Sequence, residues 1–398
     1  QNVSTNAVSG TTISVDGYDQ AASLKFSAAN TPFKTLTVVN SSVLTDLNVL
    51  SNDNVEVFNG YGNTALTNLS LSPYFKEVHA YGCSVLEGTD VSDISGLTVL
   101  DLHGGNLQTL NVDSNPELIT LDCSSNQLTK LNVDNNTGLV TLKVNGNNLT
   151  QFKVANNTAL ETLWVSDNKL SAINVRGNTA LKDLRMSNNI DITALNLKSN
   201  TALETLYADG LSISEINLVE NTLLSMFSFT DNKLLTSIQV SSDFTMNNCL
   251  FTSDWNNEHL SIVNPEGDVF YYVGQYLRVY GDGIVCQISS GGKNAKLLSC
   301  EETYKSWQAA DDWCSLYGDG SWSLPSLDLL TVIYAYKTNL NATLSKVGGI
   351  SLSSSSYWSS VSTYSNGWRY HYVSLSSGTQ YYVNDSYAQR YVRAVRTL

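Results

Sequence analysis

From Asn115 to Val240 apolar residues recur in a frame of 21 or 22 positions, and every unit opens on Asn-x-x-Leu. The openings pair Asn115 with Leu118, Asn136 with Leu139, Asn157 with Leu160, Asn178 with Leu181, Asn200 with Leu203 and Asn221 with Leu224. In the first unit Leu118, Leu121, Cys123 and Leu128 are followed by Leu131 and Val133, with Thr120, Asp122 and Ser124 interleaved. Alternation with a period of two predicts a short strand with one face inward. A unit this short cannot enclose a core, so it must bury its leucines against the units above and below. The pattern therefore predicts a stacked solenoid.

Asn126, Asn147, Asn168, Asn189 and Asn232 stand where each unit bends, and an amide there can satisfy backbone groups turned into the stack. Leu211 takes that place in one unit, so the ladder should break there. The segments Leu131-x-Val133, Phe152-x-Val154 and Ile173-x-Val175 are expected to be extended or 3₁₀, with little helix. Upstream, Phe33, Leu36, Val38, Leu44, Leu47 and Val49 fit the frame, as do Phe75, Val78, Ala80 and Val85, while the turn around Val55 and Val57 fits poorly. The count is about ten turns, over residues 33–245, with residues 1–32 and their alternating stretch Ser23–Ser27 as an N-terminal cap.

The frame stops after Ser241, and a polar stretch over 246–265 reads as a linker to a second domain, 266–398. Val269–Val273 and Tyr276–Tyr280 predict strands, with Gly281–Gly283 as a turn. A helix should carry Trp307, Ala310, Cys314 and Tyr317 on one face and close at Gly318. Another should start at Ser326 with Leu330, Ile333 and Tyr334 inward. Trp322, Trp358, Val392 and Val395 are expected in the core.

Charge narrows the partners: 22 Lys and Arg against 36 Asp and Glu give a net charge of -14, which repels phosphate backbones and anionic membranes. Nucleic acid is not expected, and no apolar run is long enough to span a membrane. The start, Gln1-Asn-Val-Ser4, lacks the charged and apolar regions of a signal peptide, so a mature or trimmed chain is expected. Cys83 and Cys123 fall two turns apart, beyond disulfide reach, whereas Cys249, Cys286, Cys300 and Cys314 are either paired or buried thiols. His79, His103, His259 and His371 are scattered, and only His79 and His103 can meet, on neighbouring turns. No metal, cofactor or catalytic residue is expected, because no phosphate loop, G-x-S-x-G or H-E-x-x-H motif occurs.

The unit L-x-x-L-x-L-x-x-N-x-L resembles the leucine-rich repeat family in its short bacterial form. A second resemblance lies in Trp313-Cys314, Trp322-Ser-Leu-Pro-Ser326, Gly348-Gly349, Tyr357-Trp-Ser-Ser360 and Tyr391-Val-Arg-Ala-Val-Arg396. These look like the bacterial branch of the C-type-lectin-like fold, which includes formylglycine-generating enzymes and the receptor-binding tips of phage tropism determinants. Together the resemblances imply a mainly β chain, a leucine-rich repeat solenoid followed by an α+β C-type-lectin-like domain. The enzyme branch relies on a late cysteine pair, and the last cysteine here is Cys314, so that activity is not expected. Calcium-dependent lectins use Glu-Pro-Asn or Gln-Pro-Asp with Trp-Asn-Asp, of which this chain offers only Val383-Asn384-Asp385.

What the resemblance leaves is binding. From Tyr357 to the end there are eight of the 21 tyrosines, interleaved with Ser, Asn and Gly, the palette of antibody loops. Residues 351–398 hold four Arg and one acid, a local charge of +3. Candidate ligand-binding residues are Tyr364, Arg369, His371, Tyr372, Tyr381, Tyr382, Asn384, Asp385 and Tyr387, with Arg369 and His371 in a loop and Tyr372 outward. In some members of the resembled family this region is diversified by templated mutagenesis of adenines. A secondary surface is Lys143, Trp164, Arg185 and Tyr207, within the row His79, Asp101, Asp122, Lys143, Trp164, Arg185, Tyr207 and Ser228 expected on the concave face. That row reads equally as a partner surface or as mutual cation-π stacking. The expectation is a monomeric bacterial adhesion or binding protein, extracellular or at the cell surface, with lipid anchoring through a removed N-terminal segment as one route. Its ligand would be a protein or glycan on another cell or host surface. A structural surface or fimbrial component is the rival.

Overall fold

The computed structural model describes residues 2–3, 12–17, 19–27, 33–51, 53–84, 86–242, 261–263, 265, 269–270, 276–277, 283–288, 295–299, 302–317, 321–346, 350–364, 368–385 and 387–397. The chain forms two compact units, Gln1–Phe227 and Ser228–Leu398.

The first unit is a solenoid. Its main sheet has eleven strands, and successive coils pair in parallel: Leu121 lies beside Leu100 and Leu142, and Leu163 beside Leu142 and Leu184. The inward leucines of these three-residue strands are fully buried and their flanking residues half-buried, as the period of two requires. One strand more than the count of about ten comes from Thr12–Asp16, which pairs with Thr35–Val39. The stretch expected to cap the stack is thus a coil in itself, since Ser23–Ser27 pairs in parallel with Asp46–Ser51 and buries Leu24 and Phe26. The turn around Val55 is regular too: Phe58, rather than Val57, points inward, and the strand Val57–Asn59 pairs on both sides. The first coils carry strands on both sides, and a second sheet joins Asn2–Val3, Ser23–Ser27, Asp46–Ser51 and Asn68–Ser70. Farther along, Leu131–Val133, Phe152–Val154 and Ile173–Val175 have no regular element, and Val133, Val154 and Val175 are buried.

Two asparagine ladders hold the coils together. Asn168 Nδ2 donates to the carbonyls of Val144 and Val165 at 3.0 and 3.1 Å, while its Oδ1 accepts from the Leu149 amide at 3.0 Å. Asn126, Asn147 and Asn189 repeat this arrangement. Asn232 donates to the Phe229 carbonyl at 2.8 Å. Leu211 is buried where the ladder breaks. The residue just before the ladder position turns left-handed in coil after coil, at Gly104, Ser125, Gly146, Asp167, Asn188 and Gly210. At Gly146 a Cβ would come within 3.3 Å of the Ser125 backbone, which would have to give by a few tenths of an ångström. The second ladder uses the asparagines that open each unit. Asn157 Nδ2 donates to the carbonyls of Val133 and Asn136 at 2.9 and 2.8 Å, and Asn115, Asn136, Asn178, Asn200 and Asn221 do the same. Both donors facing carbonyls fixes the amide orientation.

In the second unit Ser237–Gln239 pairs in parallel with Ser261–Val263, which pairs antiparallel with Val269–Phe270. A four-stranded sheet runs Tyr276–Leu277, Gly283–Ile288, Ala295–Ser299, Val395–Thr397. A five-stranded sheet runs Thr303–Ser306, Gln389–Val392, Ser356–Tyr364, Trp368–Ser374, Gln380–Val383. Helix α1, Trp307–Leu316, buries Ala310 and Cys314 with Trp322, Trp358 and Val392. Helix α2, Leu327–Ala335, is capped by the Ser326 hydroxyl, which accepts from the Leu329 amide at 3.1 Å. Leu329, Leu330 and Ile333 pack with α3, Lys337–Lys346, and with Tyr357, Val373 and Leu375. Tyr334, expected inward, is exposed, because Leu329 joins Leu330 and Ile333 on the packed side. Gly318, 271–273, 278–282, Cys249 and Cys300 lie outside the described residues. Cys83, Cys123 and Cys314 are buried free thiols. Burial pushes the Cys83 and Cys314 thiols up to about 11 and about 12, which keeps them protonated and unreactive.

Arg393 is buried in this unit. Its guanidinium donates to the carbonyls of Ser299, at 2.7 Å, and Ile350, and lies 3.4 Å from Glu302, which also accepts from the Tyr357 hydroxyl. No helix among the described residues is long and apolar enough to cross a membrane.

Candidate functional site

On the solenoid, strand register puts Lys143 beside Trp164, Trp164 beside Arg185 and Arg185 beside Tyr207. The Lys143 ammonium is 4.5 Å from the Trp164 ring, and the Arg185 guanidinium 4.2 Å from that ring and 5.2 Å from the Tyr207 ring. Asp183 closes the row: it accepts from Trp164 Nε1 at 3.0 Å and from Arg185 Nε at 3.1 Å. The row is thus a stacked rod with its polar atoms largely engaged, so its charges stabilise one another as well as presenting a surface. Ser228, expected in the same row, is buried.

Earlier in the same row the chemistry changes. Asp101 lies between two imidazoles, 2.6 Å from His103 Nδ1 and 4.0 Å from His79 Nδ1, the second an ion-pair distance. Glu77 is 3.7 Å from His79 Nε2. The Asp101 carboxylate raises the His79 pKa above its ordinary value. Burial alone would raise Asp101, but the two histidines outweigh it and hold its carboxyl below the usual range. His103 stacks on Tyr81 at 4.6 Å and Tyr81 on Tyr61 at 4.8 Å, one aromatic column beside the carboxylates.

In the second unit the predicted residues gather on the hairpin of Ser356–Tyr364, Trp368–Ser374 and the edge strand Gln380–Val383, and divide between its faces. Register pairs Tyr372 with Tyr381, His371 with Tyr382 and Tyr364 with Trp368. Tyr364, Trp368, Tyr372 and Tyr381 share one face, where Tyr364 meets Trp368 at 5.5 Å and Tyr372 stacks on Tyr381 at 5.5 Å. The Arg390 guanidinium joins them, 4.6 Å from the Tyr372 ring. Arg369, His371 and Tyr382 lie on the opposite face, with the Arg369 guanidinium 4.6 Å from the Tyr382 ring and His371 Nε2 3.0 Å from the Thr363 hydroxyl. Arg369 and His371 are therefore strand residues, not loop residues, because the strand starts at Trp368. Tyr372, expected fully outward, leans on the buried Trp358. Asn384, Asp385 and Tyr387 form the turn beyond, where the Tyr387 amide donates to Asp385 Oδ1 at 2.8 Å. Tyr364 is 71% exposed, Trp368 54%, Tyr381 46%, Tyr382 50% and Tyr387 86%.

Sequence reasoning missed Trp368 and Arg390, which only strand pairing brings to the tyrosines. It also missed a cleft of about 440 Å³ lined by Tyr304, Ser355, Ser356, Arg390 and Tyr391. The carboxylates beside His79 and His103 were visible as a row in the repeat, but their convergence was not drawn from it.

No protein-family model and no curated protein matches the chain. Among solved structures it is similar to the functional domain of InlJ from Listeria monocytogenes, at 19% identity over 63% of this chain and 72% of that one, with a TM-score of 0.36. The internalin InlF from Listeria monocytogenes is similar at 18% identity over 61% of this chain and 82% of that one, with a TM-score of 0.37. YopM, a leucine-rich effector protein from Yersinia pestis, is similar at 20% identity over 58% of this chain and 65% of that one, with a TM-score of 0.45.

Proposed function

We propose that the chain is an extracellular or cell-surface bacterial binding protein. In this reading a leucine-rich repeat solenoid, which begins with the coil of Thr12–Asp16 and Ser23–Ser27, carries a C-type-lectin-like recognition domain over 266–398, and ligand recognition falls on the hairpin and turn of residues 364–387. The observation that carries the reading is the exposure of five large aromatic side chains, Tyr364, Trp368, Tyr381, Tyr382 and Tyr387, on a paired β-scaffold. Isolated exposed aromatics are common, but aromatic area on a rigid support loses little entropy on binding and dominates many interfaces. The ligand is a protein or glycan on another cell or a host surface.

The two faces separate the test. Purified chain is applied to a glycan array and a panel of cell-surface proteins, with Tyr364→Ser/Tyr381→Ser compared with Arg369→Ser/Tyr382→Ser. Loss of signal in the first pair alone assigns recognition to the Trp368 face, and loss in the second alone to the His371 face. Unchanged signal in both refutes the site. The row Lys143, Trp164, Arg185 and Tyr207 is a secondary contact surface in this reading, and identical partner capture by wild type and Trp164→Ala would leave it a purely structural rod.

A further inference from the structure

We propose that Asp101, His103 and Asp122, with His79 able to join them, form a site for one divalent transition-metal ion of the zinc class on the main sheet of the solenoid. One donor atom from each of Asp101, His103 and Asp122 lies within 4.8 Å of the other two. The repeat builds this convergence: register sets Asp101 between His79 and Asp122 on adjacent strands, and His103 follows Asp101 by two residues. Imidazole nitrogen with carboxylate oxygen suits zinc and its neighbours in the first transition row, whereas calcium asks for six to eight oxygens that this site lacks. A tetrahedral ion with bonds of about 2.0 to 2.2 Å needs donors roughly 3.3 to 3.6 Å apart. Asp101 and His103 stand closer than that, at a hydrogen-bonded 2.6 Å, so the pair would open by under about 1 Å to admit an ion, and these part-exposed side chains can adjust.

The surroundings organise the donors. The Tyr81 ring holds the His103 ring almost parallel, at 8°. Asp122 Oδ1 is occupied by the Ser124 hydroxyl at 2.6 Å and the Ser124 amide at 3.1 Å, which leaves Oδ2 as the free donor. The cation now facing that oxygen is Lys143, at 3.4 Å. In the same position the Lys143 ammonium also lies 4.5 Å from the Trp164 ring centroid, so an ion that takes its place on Asp122 still leaves it that contact. His79 or water completes the fourth position.

The test uses the full chain, stripped with a chelator and titrated calorimetrically with zinc chloride and, separately, with calcium chloride. One zinc per chain is expected, and no calcium in the same concentration range. His103→Phe keeps the ring on Tyr81 but has no ring nitrogen, and Asp122→Asn keeps the shape without the charge; each should weaken zinc binding by at least about tenfold. Lys143→Met removes the competing cation and should tighten it by about threefold or more. Absence of one-to-one zinc binding, a preference for calcium, or zinc binding that His103→Phe and Asp122→Asn both leave intact would overturn the proposal.

Discussion

Replacing Asn168 by Ala removes an amide that serves backbone groups of its own coil and of the coil before it. The Leu149 amide loses its acceptor at 3.0 Å, and the Val144 and Val165 carbonyls lose donors at 3.0 and 3.1 Å. Asn168 is only 6% exposed, so water reaches the freed groups poorly. A buried group left unsatisfied costs about 1 to 3 kcal/mol, and partial relaxation of the carbonyls brings the expected total to about 2 to 4 kcal/mol. Asn168→Asp should cost more, because it sets a carboxylate oxygen against two carbonyls while keeping the acceptor for Leu149. Asn148→Ala, which gives up only an exposed bond to Gln127, should stay within about 0.5 kcal/mol. Urea unfolding followed by circular dichroism gives the free energies, and hydrogen exchange at Leu149 reports the local effect. A loss below about 1 kcal/mol for Asn168→Ala, with unchanged Leu149 exchange, would refute the ladder as a source of stability.

Leu163→Ala should cost roughly 2 to 5 kcal/mol, since Leu163 is fully buried between Leu142 and Leu184, and a urea midpoint shift worth under about 1 kcal/mol would contradict its inward register. Arg393→Ala should cost about 3 to 5 kcal/mol by stranding Glu302, and an unchanged melt of this variant would dispute the buried pair. Trp164→Ala should cost about 1 kcal/mol, because it frees two cations and the Asp183 acceptor, so binding assays on it need a melt alongside. In chelator-treated protein, the raised His79 pKa means its contribution is complete below its ordinary 6.5 and lost as pH rises through the folded value. His79→Gln should flatten that segment of the stability-pH curve, and a curve unchanged by the substitution would show that His79 does not report on Asp101.

The solenoid was legible because its period is strict: the inward leucines and the bend asparagines each have one role, repeated. The asparagines that open the units were legible only as punctuation, since their bonds run to carbonyls one coil back and cannot be seen within a unit. Phe58 was missed because the neighbouring Val57 is equally apolar, and only pairing with Leu36 and Val78 fixes which points inward. In the second unit the helix faces of α1 and most of α2 followed from spacing. The division of Tyr381 from Tyr382 was not drawn, because the stretch after Gly378 holds little apolar residue besides Val383 and did not announce the strand whose alternation sends neighbours to opposite faces. Arg393 stood in a motif that marks the fold, yet nothing local in its sequence distinguishes a buried guanidinium from an exposed one.

Recognition by residues 364–387 is tested most directly by measuring ligand affinity and melting temperature together for the chain carrying Tyr381→Ser, Tyr382→Ser and Tyr387→Ser. These side chains lie on both faces and the turn, outside the buried clusters. The expected result is a loss of about 2 kcal/mol or more in binding free energy, with the melting temperature nearly unchanged. A triple variant that unfolds would show these tyrosines to be part of the packing, and one that binds its ligand with full affinity would place recognition elsewhere on the molecule.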